Sequence, residues 1–144
     1  MTEPQAVTQV GGDPILRILA RLANDVPSAE IHVTLAVGGA LVSGVLVSRL
    51  AWLRLSAETM EAVAPRAGTI PAELSKTLEA QAARPSEEHG GTDAGGVTYE
   101  YLHLKDARYV AATGTMPSLG APPLLWRGRI AQVSGWSWGS FQAS

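Results

Sequence analysis

The stretch from Ile31 to Ser48, I-H-V-T-L-A-V-G-G-A-L-V-S-G-V-L-V-S, constrains the fold more than any other part of the chain. Its first half alternates. Ile31, Val33, Leu35 and Val37 fall on one side of an extended backbone, with His32, Thr34 and Ala36 on the other. Val, Ile and Thr are stiff at χ1 and suit a pleated surface. Gly38-Gly39 then offers the positive φ angles that a two-residue hairpin loop requires. A second apolar run, Ala40 to Val47, follows at once. The stretch predicts a β-hairpin that serves as the spine of a small barrel. Val33 to Leu53 is also about as long as a membrane helix, which needs about 20 residues. Gly38, Gly39, Gly44, Ser43 and Ser48 interrupt it, however, and Arg49 stands near its end. The alternation and the glycine pair decide for sheet. A secretory leader is not expected, because no basic region precedes the run and the run starts late.

An apolar hairpin needs cover, and the flanking sequence supplies it. Asp13-Pro14 opens a helix: Asp caps free N–H groups, and Pro suits the first helical position. Ile15, Leu16, Ile18, Leu19 and Leu22 recur at helical spacing, and the helix is expected to end near Asn24-Asp25. Residues 1–12 read as a flexible N-terminus. Residues 13–144 read as one small barrel domain. Residues 56–96 form an acidic helical or disordered insert within it.

After Ser48, Arg49 to Leu55 either continues the strand or bends into a short helix through Ser56 to Val63. Pro65 and Gly68 break the chain. Ile70 to Ala83 predicts a second helix, with Pro71 near its start and Leu74 and Leu78 one turn apart. Arg84 to Gly96 reads as loop or disorder. Seven acids (Glu58, Glu61, Glu73, Glu79, Glu87, Glu88, Asp93) face three bases (Arg66, Lys76, Arg84) across residues 57–96. That is a net −4, which leaves +2 for the rest of a chain whose total is −2. The charge either keeps a long loop solvated or marks a regulatory or self-associating arm.

Strand character returns at Val97 to Val110, with a turn or bulge at Lys105-Asp106. Met116 to Pro123 is a loop. In Leu124 to Phe141, Leu125, Arg127, Arg129, Ala131 and Val133 fall on one face and Trp126, Ile130 and Gln132 on the other. Ser134-Gly135 can turn the chain, and Trp136 and Trp138 then share one face of a last strand. The order is one helix and five short strands around an insert, a mainly β, α+β pattern. It resembles the Sm-like variety of SH3-like barrel, with an early glycine-punctuated strand pair and a late Arg127-Gly128 strand. That family's RNA-contacting acid and asparagine are not visible after Leu46, where Ser48-Arg49-Leu50 stands.

Composition and motifs narrow the function. With 46% apolar and 17% charged residues the chain is globular. A net charge of −2 lacks the basic footprint of a general nucleic-acid binder. The absence of Cys removes disulfides and thiolate metal sites. Gly135-Trp136-Ser137-Trp138-Gly139 fits G-x-S-x-G, yet no acid and no His follow, so a hydrolase is not expected. Gly39 to Gly44 begins like a phosphate loop, but Val45-Leu46 replaces its Lys-Ser/Thr. His32 and His103 on neighbouring strands would be the only start of a metal site, and no acid cluster accompanies them. No catalytic residue, cofactor or metal is expected. The candidate interaction surface is Arg127, Arg129, Trp136 and Trp138. The arginines either hold a carboxylate or phosphate or blunt an exposed edge. The tryptophans are core or interface anchors, with at least one expected in the core.

Four blocks of sequence, taken together, resemble the small gas vesicle accessory proteins of the U type (GvpU-like). They are Ile15-Leu16-Arg17-Ile18-Leu19, Val33 through Gly44, Tyr101-Leu102-His103-Leu104-Lys105-Asp106-Ala107, and Trp126-Arg127-Gly128-Arg129-Ile130-Ala131-Gln132-Val133-Ser134-Gly135 with Gly139 beyond. The acidic middle does not match. The resemblance implies a cytoplasmic, vesicle-associated, non-enzymatic protein. It would assist gas vesicle formation, organisation or clustering by contacting shell proteins, other accessory proteins or itself, and would involve no nucleic acid and no membrane. From another class, the alternative is an Sm-like RNA-binding or ring-forming module.

Overall fold

The computed structural model describes residues 11–26, 28–67, 69–82, 89–93 and 96–141. The predicted flexible N-terminus therefore lies almost wholly outside the described residues, as do 83–88 of the insert. Helix α1 (Pro14–Asp25) begins as its sequence dictates: the Asp13 carboxylate accepts the Ile15 N–H at 2.8 Å, and Pro14 occupies the first turn. Leu16, Leu19, Ala20 and Ala23 are buried beneath it. Strands β1 (Ile31–Val37) and β2 (Ala40–Val47) form the expected hairpin. Gly38 and Gly39 have φ of 59° and 83°, the pair of left-handed residues that lets a two-residue loop match the strand twist.

The strand then stops sharply. The Ser48 hydroxyl accepts the Ala51 N–H at 3.0 Å and its carbonyl accepts the Trp52 N–H at 3.0 Å, so Ser48 caps a helix. Of the two readings open for Arg49 to Leu55, the chain takes the helical one. Helix α2 (Arg49–Ala67) continues through Pro65, where a break was expected, and α3 (Thr69–Ala82) packs back against it. Leu53 and Ala57 are buried on α2, and Ser75 on α3. Beyond residues 83–88, β3 (His89–Asp93) and β4 (Gly96–Tyr99) pair as a separate two-stranded sheet, where loop was expected for much of that span.

Strand β5 (Tyr101–Ala111) carries the predicted irregularity. Its registers with β2 and with a later strand both slip around Lys105-Asp106, and Asp106 has φ 51°. Short β6 (Gly114–Met116) returns along β5. Buried Arg108 holds the following turn by donating to the carbonyls of Ser118, Leu119 and Ala121. Strands β7 (Leu124–Arg129) and β8 (Val133–Trp138) are joined by a 3-10 turn at Ile130–Gln132. The chain therefore turns at 130–132 and not at Ser134-Gly135, and the alternation predicted for 125–133 stops at Arg129.

All pairings are antiparallel. The main sheet runs β6-β5-β2-β1-β8, and β7 also pairs with β5. The expected five-stranded Sm-like barrel is thus corrected: the described residues form an open six-stranded antiparallel sheet with three helices, and a separate two-stranded sheet. The physical reason lies at the 3-10 turn. It sends β7 to pair with β5 and β8 to pair with β1, at opposite ends of the strand order, and no described ladder joins them. The fully buried Ile130 side chain fills the core at this point. Leu16, Val33, Leu35, Leu46, Leu102 and Leu104 complete one core between α1 and the sheet. Each buried side chain of this kind is worth about 1.5–3 kcal/mol. No described helix is long and apolar enough to cross a membrane.

Candidate interaction surface

Strands β5 and β7 pair Tyr101 with Arg129 and His103 with Arg127. Two residues spaced by two on each strand must share a face. These four therefore meet on the side of the sheet away from Leu102, Leu104 and α1. Arg127 lies over the Tyr101 ring, with its Cζ 3.9 Å from the centroid, and Arg129 stands 5.9 Å from the same ring. Arg129 also pairs with Glu100 at 3.4 Å. Arg127 Nε donates to His103 Nε2 at 3.2 Å. Because that nitrogen accepts, His103 is neutral with its proton on Nδ1. His103 is buried, and Trp52 of α2 covers it at 5.4 Å between ring centroids. Burial first, then the charges of Arg127 and Arg49, lower the His103 pKa to about 3. The cluster therefore carries its positive charge on exposed guanidiniums, while its imidazole stays uncharged.

The opposite face of β7 explains the glycine between the arginines. Trp126 packs against the core, and its ring lies across Gly128. A Cβ at 128 would stand 2.3 Å from Trp126 Cη2 and 2.6 Å from Cζ2. Trp-Arg-Gly-Arg thus reads as an anchoring ring, the gap it needs, and two outward cations.

Trp136 and Trp138 sit on β8, at the other end of the strand order. Trp136 is half-buried against the core, and its indole N–H donates to Asp13 at 2.9 Å. One carboxylate thus caps α1 with Oδ1 and ties it to β8 with Oδ2. The Trp136 hydrogen bond, followed by that from Ile15, holds the Asp13 pKa below its ordinary value. Trp138 packs edge-on against Trp136 at 4.7 Å and is 64% exposed. The four predicted residues form two patches on different edges and faces.

The GvpU-like gas vesicle protein family model matches residues 13–141, nearly the whole chain. The chain belongs to this GvpU-like family. No curated protein and no solved structure matches it. The match begins at the capping Asp13 of the GvpU-like chain and ends at Phe141, whose N–H donates to buried Ser43. The four blocks of resemblance fall on α1, on the β1–β2 hairpin, on β5 and on β7 with β8.

Several members of the Arg127 cluster are not legible in the sequence. Tyr101 and His103 were legible as strand residues, but their register with Arg127 and Arg129 was not. Trp52 was ambiguous because the helix that aims it was one of two readings. Nothing in the sequence signals the second role of Asp13. The remaining motifs are placed without chemistry. Ser137 of G-x-S-x-G lies within β8 opposite Thr34, not in a strand-to-helix turn. His32 and His103 are not on neighbouring strands, since β2 runs between β1 and β5. His32 Nδ1 instead lies 2.8 Å from Ser140 Oγ.

Proposed function

We propose that this GvpU-like chain is a non-enzymatic accessory protein that assists gas vesicle formation, organisation or clustering in the cytoplasm. It acts through contacts with shell proteins, other accessory proteins or further copies of itself. The observation that carries this reading is the family match over residues 13–141. A sheet with open edges and exposed apolar side chains, Ile18 at 60% and Trp138 at 64%, supports a surface that meets other proteins. Residues 13–144 are read as one unit, with 56–96 as an acidic insert upon it. The test is deletion of this chain's gene in a cell that makes gas vesicles, followed by electron microscopy. Fewer or scattered vesicles are expected. Unchanged number and arrangement would overturn the reading.

A further inference from the structure

An apolar groove of about 390 Å³ lies between the two central helices and the start of β7. Trp52 and Met60 of α2, Leu74 and Leu78 of α3, and Leu124 and Leu125 of β7 line it. Its third wall is an edge strand: β5 is the only described partner of β7. Strand alternation places Leu125, Arg127 and Arg129 on one side of β7. Along this edge an apolar recess is therefore followed by two exposed cations, two and four residues further on. The cations keep their own contacts, Arg127 with Tyr101 and His103 and Arg129 with Glu100. A guanidinium has five N–H donors, so it accepts a further carboxylate without giving these up.

We infer that the edge of β7 left unpaired among the described residues binds an extended segment of a partner protein. This segment places an apolar side chain in the groove beside Leu125 and acidic side chains against Arg127 and Arg129. Backbone pairing supplies affinity, while the recess and the charges supply register. The charge order along β7 is what selects this occupant. A wholly apolar strand would bring no carboxylate to the spare N–H donors of the two guanidiniums, and an acidic loop would leave the recess empty. The inference rests on the protein-contact reading proposed above and names the chemistry of the contact.

The experiment uses the full chain and fluorescein-labelled peptides of roughly eight residues, a typical strand length. The parent peptide alternates Thr and Val, with two Glu placed four and two residues before one Leu for antiparallel pairing with β7, and a second parent carries the reverse order for parallel pairing. One control replaces both Glu by Gln, and a second puts Pro at a central position. By fluorescence anisotropy one parent binds, and more weakly as salt is raised. The Gln peptide binds about fivefold to tenfold more weakly, as two exposed ion pairs allow. The Pro peptide does not bind, because a ladder donor is gone.

Arg129→Gln, and separately Arg127→Gln with Arg129→Gln, erase the preference for Glu over Gln. Circular dichroism confirms that each variant is folded, and the single variant suffices if the double one is not. Equal binding of the Pro peptide, no preference for Glu, or no binding at all overturns the inference. So does sedimentation showing that β7 pairs with a second copy and that the peptide fails to compete. If peptides fail while the chain still associates with isolated gas vesicles, only this inference falls. If vesicle association fails as well, the functional reading falls with it.

Discussion

Gly128→Ala isolates one contact that the structure makes specific. Gly128 does not have a left-handed backbone, so Ala is tolerated there on conformational grounds. The obstacle is the added methyl, at 2.3 Å from Trp126 Cη2 and 2.6 Å from Cζ2. The ring cannot rotate freely away, because it is half-buried against the core beside Leu104, its partner in register. Overpacking of this kind costs about 1–3 kcal/mol. Replacing Gly also narrows the unfolded ensemble, which returns about 0.4–1 kcal/mol. The net loss is about 1–2 kcal/mol, or a fall in Tm of roughly 3–8 °C for a domain of this size. Urea unfolding followed by circular dichroism measures it. In a Trp126→Leu background the ring is gone and only the unfolded-state gain remains, so Gly128→Ala becomes stabilising by about 0.4–1 kcal/mol and the cycle gives a coupling of about 1–3 kcal/mol. A Gly128→Ala chain as stable as the parent, or an equal loss in the Trp126→Leu background, refutes the packing account.

Two further predictions concern pH. His103 has a folded pKa near 3, against an unfolded value of 6.5. Between these values the unfolded chain holds a proton that the folded chain excludes, so stability falls as pH falls, by up to about 1.4 kcal/mol per unit. From pH 6.5 to 5 the loss is about 1.6 kcal/mol, because the unfolded imidazole is only half protonated at the upper end, and His103→Gln, compared by urea midpoints, flattens the profile in that window. The folded pKa of Asp13 is lowered, so its contribution is complete above the ordinary carboxylate value and is lost as pH falls through the folded one. Asp13→Asn therefore lowers the melting temperature at neutral pH. The gap from the parent narrows in acid; a constant gap would show that ionised Asp13 contributes nothing beyond its amide analogue.

Local chemistry was legible wherever one residue type admits one backbone. Asp13-Pro14 and Gly38-Gly39 announced a helix start and a hairpin, and Lys105-Asp106 announced a bulge. Arg49 to Leu55 was not legible, because Leu50, Leu53 and Leu55 fit a weak strand as well as a helix face. The deciding signal was the Ser48 cap, whose meaning depends on its own carbonyl and hydroxyl turning to Trp52 and Ala51. Sheet closure was not legible either. Ile130 and Val133 continue the apolar alternation, yet the 3-10 turn between them directs β7 and β8 to opposite edges. The arginines were singled out as exposed cations, and they are. That Tyr101 lies beneath both is a matter of register across residues far apart in sequence, which period-two alternation does not fix.

The contact with gas vesicles proposed for this GvpU-like chain can be read from a flotation experiment. Isolated gas vesicles are mixed with the purified full chain and allowed to rise, and the two layers are assayed for the protein. The chain is expected to rise with the vesicles and to gather them into clusters visible by electron microscopy. A chain left entirely in the lower layer, with vesicles dispersed as in its absence, would contradict it.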